Sequence, residues 1–80
     1  MMDIADVFDK FMSSKIRNEW IEDDALRVYI RKGNRYIDSK QVQVIDVANI
    51  MSAPMHQGKG YFKAFMQHIE SYNMPVYVEN

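Results

Sequence analysis

The run from Val42 to Met51 constrains this chain more than any other stretch. Val42, Val44, Ile45, Val47, Ala48, Ile50 and Met51 leave little polar surface on either side of an extended strand. A strand apolar on both sides belongs in the centre of a sheet covered on both faces. Asp46 and Asn49 interrupt it, and a carboxylate inside such a strand is costly unless it is paired or used. Ser52-Ala53-Pro54 ends the run, because proline cannot donate to a ladder. A glycine turn follows, Gln57-Gly58-Lys59-Gly60. After it Phe62, Phe65, Met66 and Ile69 recur at helical spacing. The order is strand, glycine turn, helix.

The remaining segments read as elements built around that unit. Asp3 to about Lys15 predicts a helix, with Ile4, Val7, Phe8, Phe11 and Met12 on one face and Asp3 as N-cap. It either covers the sheet or offers its Phe and Met side chains to a partner. Ser13 to Asp24 is less regular, with Trp20 and Ile21 anchoring the crossing into the sheet. Glu22-Asp23-Asp24 forms an acidic turn, either solvated or able to attract an amine. Ala25 to Arg31 alternates, with Leu26, Val28 and Ile30 on one face and Arg27, Tyr29 and Arg31 on the other. Lys32-Gly33-Asn34-Arg35 predicts a hairpin, Tyr36 and Ile37 open the return strand, and Asp38-Ser39-Lys40 makes a second turn. The last helix spans about Tyr61 to Tyr72. Val76-Tyr77-Val78 is a final strand, parallel to Val42–Met51 by a right-handed crossover. The expected fold is α/β in class and α+β in layout. Its order is α-β-β-β-α-β, a mixed sheet with helices on both faces, in one domain over residues 1–80.

Composition removes several function classes. A net charge of −1 gives no bulk attraction to nucleic acid or membrane. The absence of cysteine excludes disulfides and thiol chemistry. No apolar run reaches a membrane span, and Asp3, Asp6 and Asp9 stand where a signal peptide needs positive charge. The expectation is a cytoplasmic protein. His56 and His68 lack the spacing of a helical metal pair, and no metal site is expected. Arg27, Arg31, Lys32 and Arg35, interleaved with Tyr29 and Tyr36, read either as a nucleic-acid face or as a solvated sheet face.

A glycine turn at a helix start is chemically suited to anions. Free backbone N–H groups point outward, the helix dipole adds positive character, and missing side chains let a phosphate approach. Lys59 and Lys63 add charge. The plain alternative is a turn that only links a strand to a helix.

At these residues the chain resembles the GNAT superfamily of N-acetyltransferases. That family carries Q/R-x-x-G-x-G/A between a long strand and a helix, as a cradle for the pyrophosphate of acetyl-coenzyme A. Gln57 and Gly60 match the first and fourth positions, and Phe62 departs from the Gly or Ala of the sixth. The resemblance covers roughly Ala25 to Asn80. It implies that Gln57, Gly58, Lys59, Gly60, Tyr61 and Phe62 bind the cofactor. It also implies that backbone groups at Ile50, Met51 and Ser52 face its thioester or pantetheine, and that Asn80 contacts it after the last strand. In histone-type members a strand carboxylate eleven positions before the motif is the general base, and Asp46 stands at that spacing from Gln57. The other role for Asp46 is a structural pair with an arginine. A typical family domain continues for another helix and two strands, which this chain lacks. The resemblance therefore implies acetyl-coenzyme A binding, with N-acetyl transfer to an amine as the activity. The alternative is a catalytically inactive interaction module. An exposed last strand further predicts a homodimer or a protein partner at that edge.

Overall fold

The computed structural model describes residues 2–52 and 54–79. The elements are α1 (Ile4–Ser13), β1 (Asn18–Glu22), β2 (Leu26–Ile37), β3 (Lys40–Ser52), a short 3-10 turn (Pro54–His56), α2 (Tyr61–Glu70) and β4 (Val76–Val78). The fold is mixed α+β, in the order α-β-β-β-α-β, around one four-stranded sheet ordered β1-β2-β3-β4. The first three strands are antiparallel, and β4 runs parallel to β3. No helix is long and apolar enough to cross a membrane among the described residues.

Two features of the strand plan differ from the sequence expectation. Asn18–Glu22 is a strand, not an irregular crossing. It is an edge strand with Ile21 as its one fully buried side chain, so its apolar pattern is too sparse to read. There is also no hairpin at Lys32–Arg35. β2 continues through Gly33 and Asn34, which pair with Val44 and Gln43. The chain reverses at Asp38 and Ser39, whose φ angles are 51° and 66°. Two successive left-handed residues make the turn that matches strand twist.

Helix positions also differ. Both helices lie on one face of the sheet, not one on each. Phe8 of α1 and Phe65 of α2 meet edge to face at 5.8 Å. Both belong to one core with Ile21, Leu26, Val28, Ile30, Ile45 and Val47. The reason lies in β3. Tyr29 pairs with Asn49 and Ile30 with Val47, so Ala48 is an extra residue, a β-bulge. The alternation changes phase there. Ile45, Val47 and Ile50 all reach the helix face, while Val42 and Val44 belong to the other. A run that looks apolar on both sides is one buried face counted across a bulge, plus two valines on a face without a helix.

That outer face carries Trp20, Arg27, Tyr29, Arg31, Arg35, Asp46, Tyr77 and Glu79, linked by the contacts described below. Beyond the reach of β1 and β4, residues 33–37 and 40–44 pair, among the described residues, with each other alone. This two-stranded ribbon makes the molecule long, 44 × 23 × 19 Å.

Candidate functional site

The two helix starts are built differently. At α1 the Ala5 N–H donates to Asp3 Oδ1 at 2.9 Å and the Ile4 N–H to Asp23 Oδ2 at 3.0 Å. Both of these N-terminal donors are satisfied by carboxylates. At α2 the N-cap is Gly60, in the left-handed region (φ 80°, ψ 8°), and no side chain caps the helix. Ala64 N–H closes the first turn on Gly60 O at 3.0 Å, so the donors ahead of it point out of the helix end. Gly58 is also left-handed at φ 78°. A Cβ at either glycine would touch nothing. Glycine is therefore favoured by backbone conformation and not by crowding, and the space above the turn is open. Gln57, Gly58, Lys59, Gly60 and Tyr61 are all exposed.

The expected cofactor-binding residues thus gather where β3 ends and α2 begins. Gln57 Nε2 donates to Ser52 O at 3.5 Å, tying the turn to the strand. Ile50 faces the helices and packs on the core, while Met51 is half exposed on the outer face opposite Arg27. Phe62 is partly buried against the core. The side chain that departs from the family pattern therefore turns inward, away from the turn. A cleft of about 370 Å³ opens beside Asp24, Arg27, Met51 and Ser52. A neighbouring one of about 350 Å³ is lined by Met2, Asp24, His56 and Tyr61. Asn80 and Ala53 lie outside the described residues. Among those described, β4 pairs with Ile45, Asp46 and Val47 and stays in register to Val78. Glu79 N–H then donates to Val47 O at 2.9 Å. From Ala48 to Ser52 the β4 side of β3 has no strand beside it among the described residues.

Asp46 stands apart from the turn. It precedes Ser52 by six residues, at most roughly 20 Å at the rise of an extended strand. Its side chain is 14% exposed. Arg35 Nη2 donates to Asp46 Oδ1 at 3.0 Å and the same guanidinium lies 3.9 Å from the centre of the Tyr77 ring. Of the two roles open for Asp46, the resting structure holds it in an arginine pair.

The basic cluster divides across the sheet. Lys32 lies on the helix face, 4.5 Å from the Phe11 ring, and donates to Ser14 O at 2.7 Å. Burial, with Arg17 nearby, holds its pKa below the ordinary lysine value, against the pull of Glu19. Tyr36 is exposed on the ribbon, away from the arginines in the strand alternation. Arg27 stacks on Trp20 at 4.3 Å and faces Glu22 in register; Arg31 bonds Glu79 at 3.2 Å; Arg35 bonds Asp46. Each arginine has a carboxylate at hand, so the face carries no surplus positive charge for a phosphate backbone.

The acidic turn is structural at Asp23. Burial pushes its carboxyl up, but N–H donors from Leu26, Ala25 and Ile4 outweigh this and hold it below the ordinary value, helped by the charge of His56. A second polar cluster joins the helices. Tyr72 OH donates to Asp9 Oδ1 at 2.6 Å, and His68 Nε2 lies 2.7 Å from the same oxygen. Among the described residues no group of three His, Cys, Asp or Glu side chains is placed to hold a metal ion. The chain matches no family model, no curated protein and no solved structure.

Proposed function

We propose that this chain binds acetyl-coenzyme A in the manner of a GNAT-like protein and serves N-acetyl transfer to an amine in the cytoplasm. One observation carries the reading. The α2 helix start has no side-chain cap and is approached through two left-handed glycines, at the end of the central strand of the sheet. Such a start offers N–H donors and the positive end of the dipole to a pyrophosphate. Lys59 supplies charge beside it. The separation of this turn from Asp46 suits an extended ligand, anionic at one end and reactive at the other. Acetyl-coenzyme A brings the thioester-activated acetyl group. The chain's own part is to hold the anionic end at residues 57–61 and to take the amine proton at Asp46 once Arg35 is displaced.

Calorimetric titration with acetyl-coenzyme A tests this. Wild-type protein binds at micromolar concentration, and Gly60→Glu abolishes binding, because it brings a strained backbone and a negative charge to the phosphate position. Gly60→Asn tolerates the left-handed angle and keeps part of the affinity. No heat at millimolar cofactor would reduce the turn to architecture. The second reading, a non-catalytic interaction module, is favoured by the Arg35–Asp46 pair and predicts that negative result.

A further inference from the structure

We propose that Asp46 and Tyr77 form an organic-cation site that Arg35 fills in the resting protein as an internal competitor. The inference rests on the proposed function for the identity of the incoming cation, an acceptor amine. The site itself is read from contacts within the chain.

A largely buried carboxylate needs a positive partner. Asp46 has one, from Arg35, and the same guanidinium lies on the Tyr77 ring. A carboxylate beside an aromatic face is the chemistry that recognises an ammonium or guanidinium group. Arg31, directly across from Asp46 in register, does not compete. Its Nη2 lies 3.2 Å from both Glu79 oxygens, and its buried Nε has no hydrogen-bond partner among the described residues. Gly33 lies between Arg31 and Arg35 in the outer row of β2. A Cβ there would sit 3.6 Å from Asp46 Oδ2 and 3.7 Å from Val44. The missing side chain leaves room over Asp46 for a slim alkyl chain.

Arg35 is suited to leave. It belongs to the two-stranded ribbon, which no further strand flanks among the described residues, and its side chain is 44% exposed. Ion pairs with so exposed a member are weakly held. Asp46 sits in the sheet between β2 and β4 and stays in place. Displacement of Arg35 therefore exchanges one cation for another on a fixed anion and ring. The apparent affinity for an amine is reduced by the fraction of time that Arg35 occupies the site.

The test uses n-butylammonium chloride, balanced against sodium chloride at equal ionic strength, with no coenzyme A present. Binding is read from the Tyr77 ring resonances. Arg35→Ala is expected to bind about tenfold more tightly than wild type, or about 1.4 kcal/mol, with the Tyr77 ring shifting. Arg35→Gln keeps a hydrogen bond to Asp46 without the charge and is expected to show the same direction. Adding Asp46→Asn to either variant should remove the binding. Equal affinity in wild type and both arginine variants overturns the proposal. So do ring shifts that ignore Asp46→Asn, and so does loss of the fold in both arginine variants, which would make Arg35 a fixed structural partner. Because no cofactor takes part, failure here leaves the acetyl-coenzyme A titration standing, and the reverse also holds.

Discussion

Asp23 and Asp46 are both partly buried carboxylates, and their surroundings give them opposite uses. Asp23 accepts three backbone N–H groups, from Ile4, Ala25 and Leu26, at 2.8–3.0 Å. It caps α1 from a distance and closes the β1–β2 turn in the same act. Asp23→Ala leaves three donors to find water and is expected to cost about 2 kcal/mol, read from urea unfolding. Asp23→Asn, which keeps one acceptor, should lose less. Equal losses for the two would show that the charge, and not acceptance, is what matters. Asp46 has a single ion-pair partner, Arg35, whose side chain is 44% exposed, an arrangement that suits the partner exchange proposed above. The sequence distinguishes the two poorly. Asp23 sits in an acidic triplet that reads as solvated, and nothing in the spacing shows that its carboxyl turns back to Ile4. The glycines are more legible, because a left-handed backbone at two positions before a helix admits few other residues. An arginine pair is one of the two roles the sequence offers for Asp46, but that the partner is Arg35 is not legible, since it depends on which strand faces meet.

The strands show the same division between local and long-range information. α2, β4 and the position of β3 are read correctly because their apolar periods and their glycine, asparagine and proline punctuation are local, whereas the faces of β3 are misread across the bulge. The reversal between β2 and β3 at Asp38-Ser39-Lys40 is legible as a turn, but the sequence also suggests a hairpin at Lys32–Arg35 that does not form, because Gly33-Asn34 looks like a turn. In the structure Gly33 has no positive φ and serves instead as the gap above Asp46 and Val44. The true turn uses Asp38 and Ser39, and serine at φ 66° is the poorer choice of the two. Ser39→Gly relieves that backbone strain. It should stabilise the chain by about 0.5–1 kcal/mol after the entropy of the added glycine is counted. Thermal unfolding followed by circular dichroism measures this. A lower midpoint for Ser39→Gly would mean that the ribbon's turn relaxes from the angles seen here. The absence of a helix over the outer face is the other non-local fact. That face is occupied instead by arginines on rings and carboxylates: Arg27 lies on Trp20, Arg35 on Tyr77, and Arg31 and Arg35 pair with Glu79 and Asp46.

At the scale of the whole molecule, a radius of gyration of 12.9 Å exceeds the roughly 12 Å of a compact chain this long, because the ribbon projects. The mass that holds the fold is one layer of two helices on one sheet face. The clasp of Asp9, His68 and Tyr72 joins those helices beside Phe8. Its titration contributes at both the acid and the alkaline end of the stability range. Bonds from Tyr72 and then His68 hold the Asp9 carboxyl below its ordinary 3.8, and the donors on Asp23 do the same there. Lowered carboxylates contribute stability above the unfolded value and lose it as pH falls through the folded one. The acid limb should therefore lie below pH 3.8. Burial, and then the bond to Asp9, pushes the Tyr72 phenol up to about 12 from 10.0. A raised phenol contributes fully below pH 10 and loses that contribution as pH rises to about 12. Thermal midpoints from pH 2.5 to 12 should form a plateau between these limbs. Tyr72→Phe should shift the acid limb toward 3.8 and remove the part of the alkaline limb between 10 and 12. Superimposable limbs for wild type and Tyr72→Phe would show that the helices are held together by Phe8, Phe65 and Ile69 alone, with the polar clasp as a bystander.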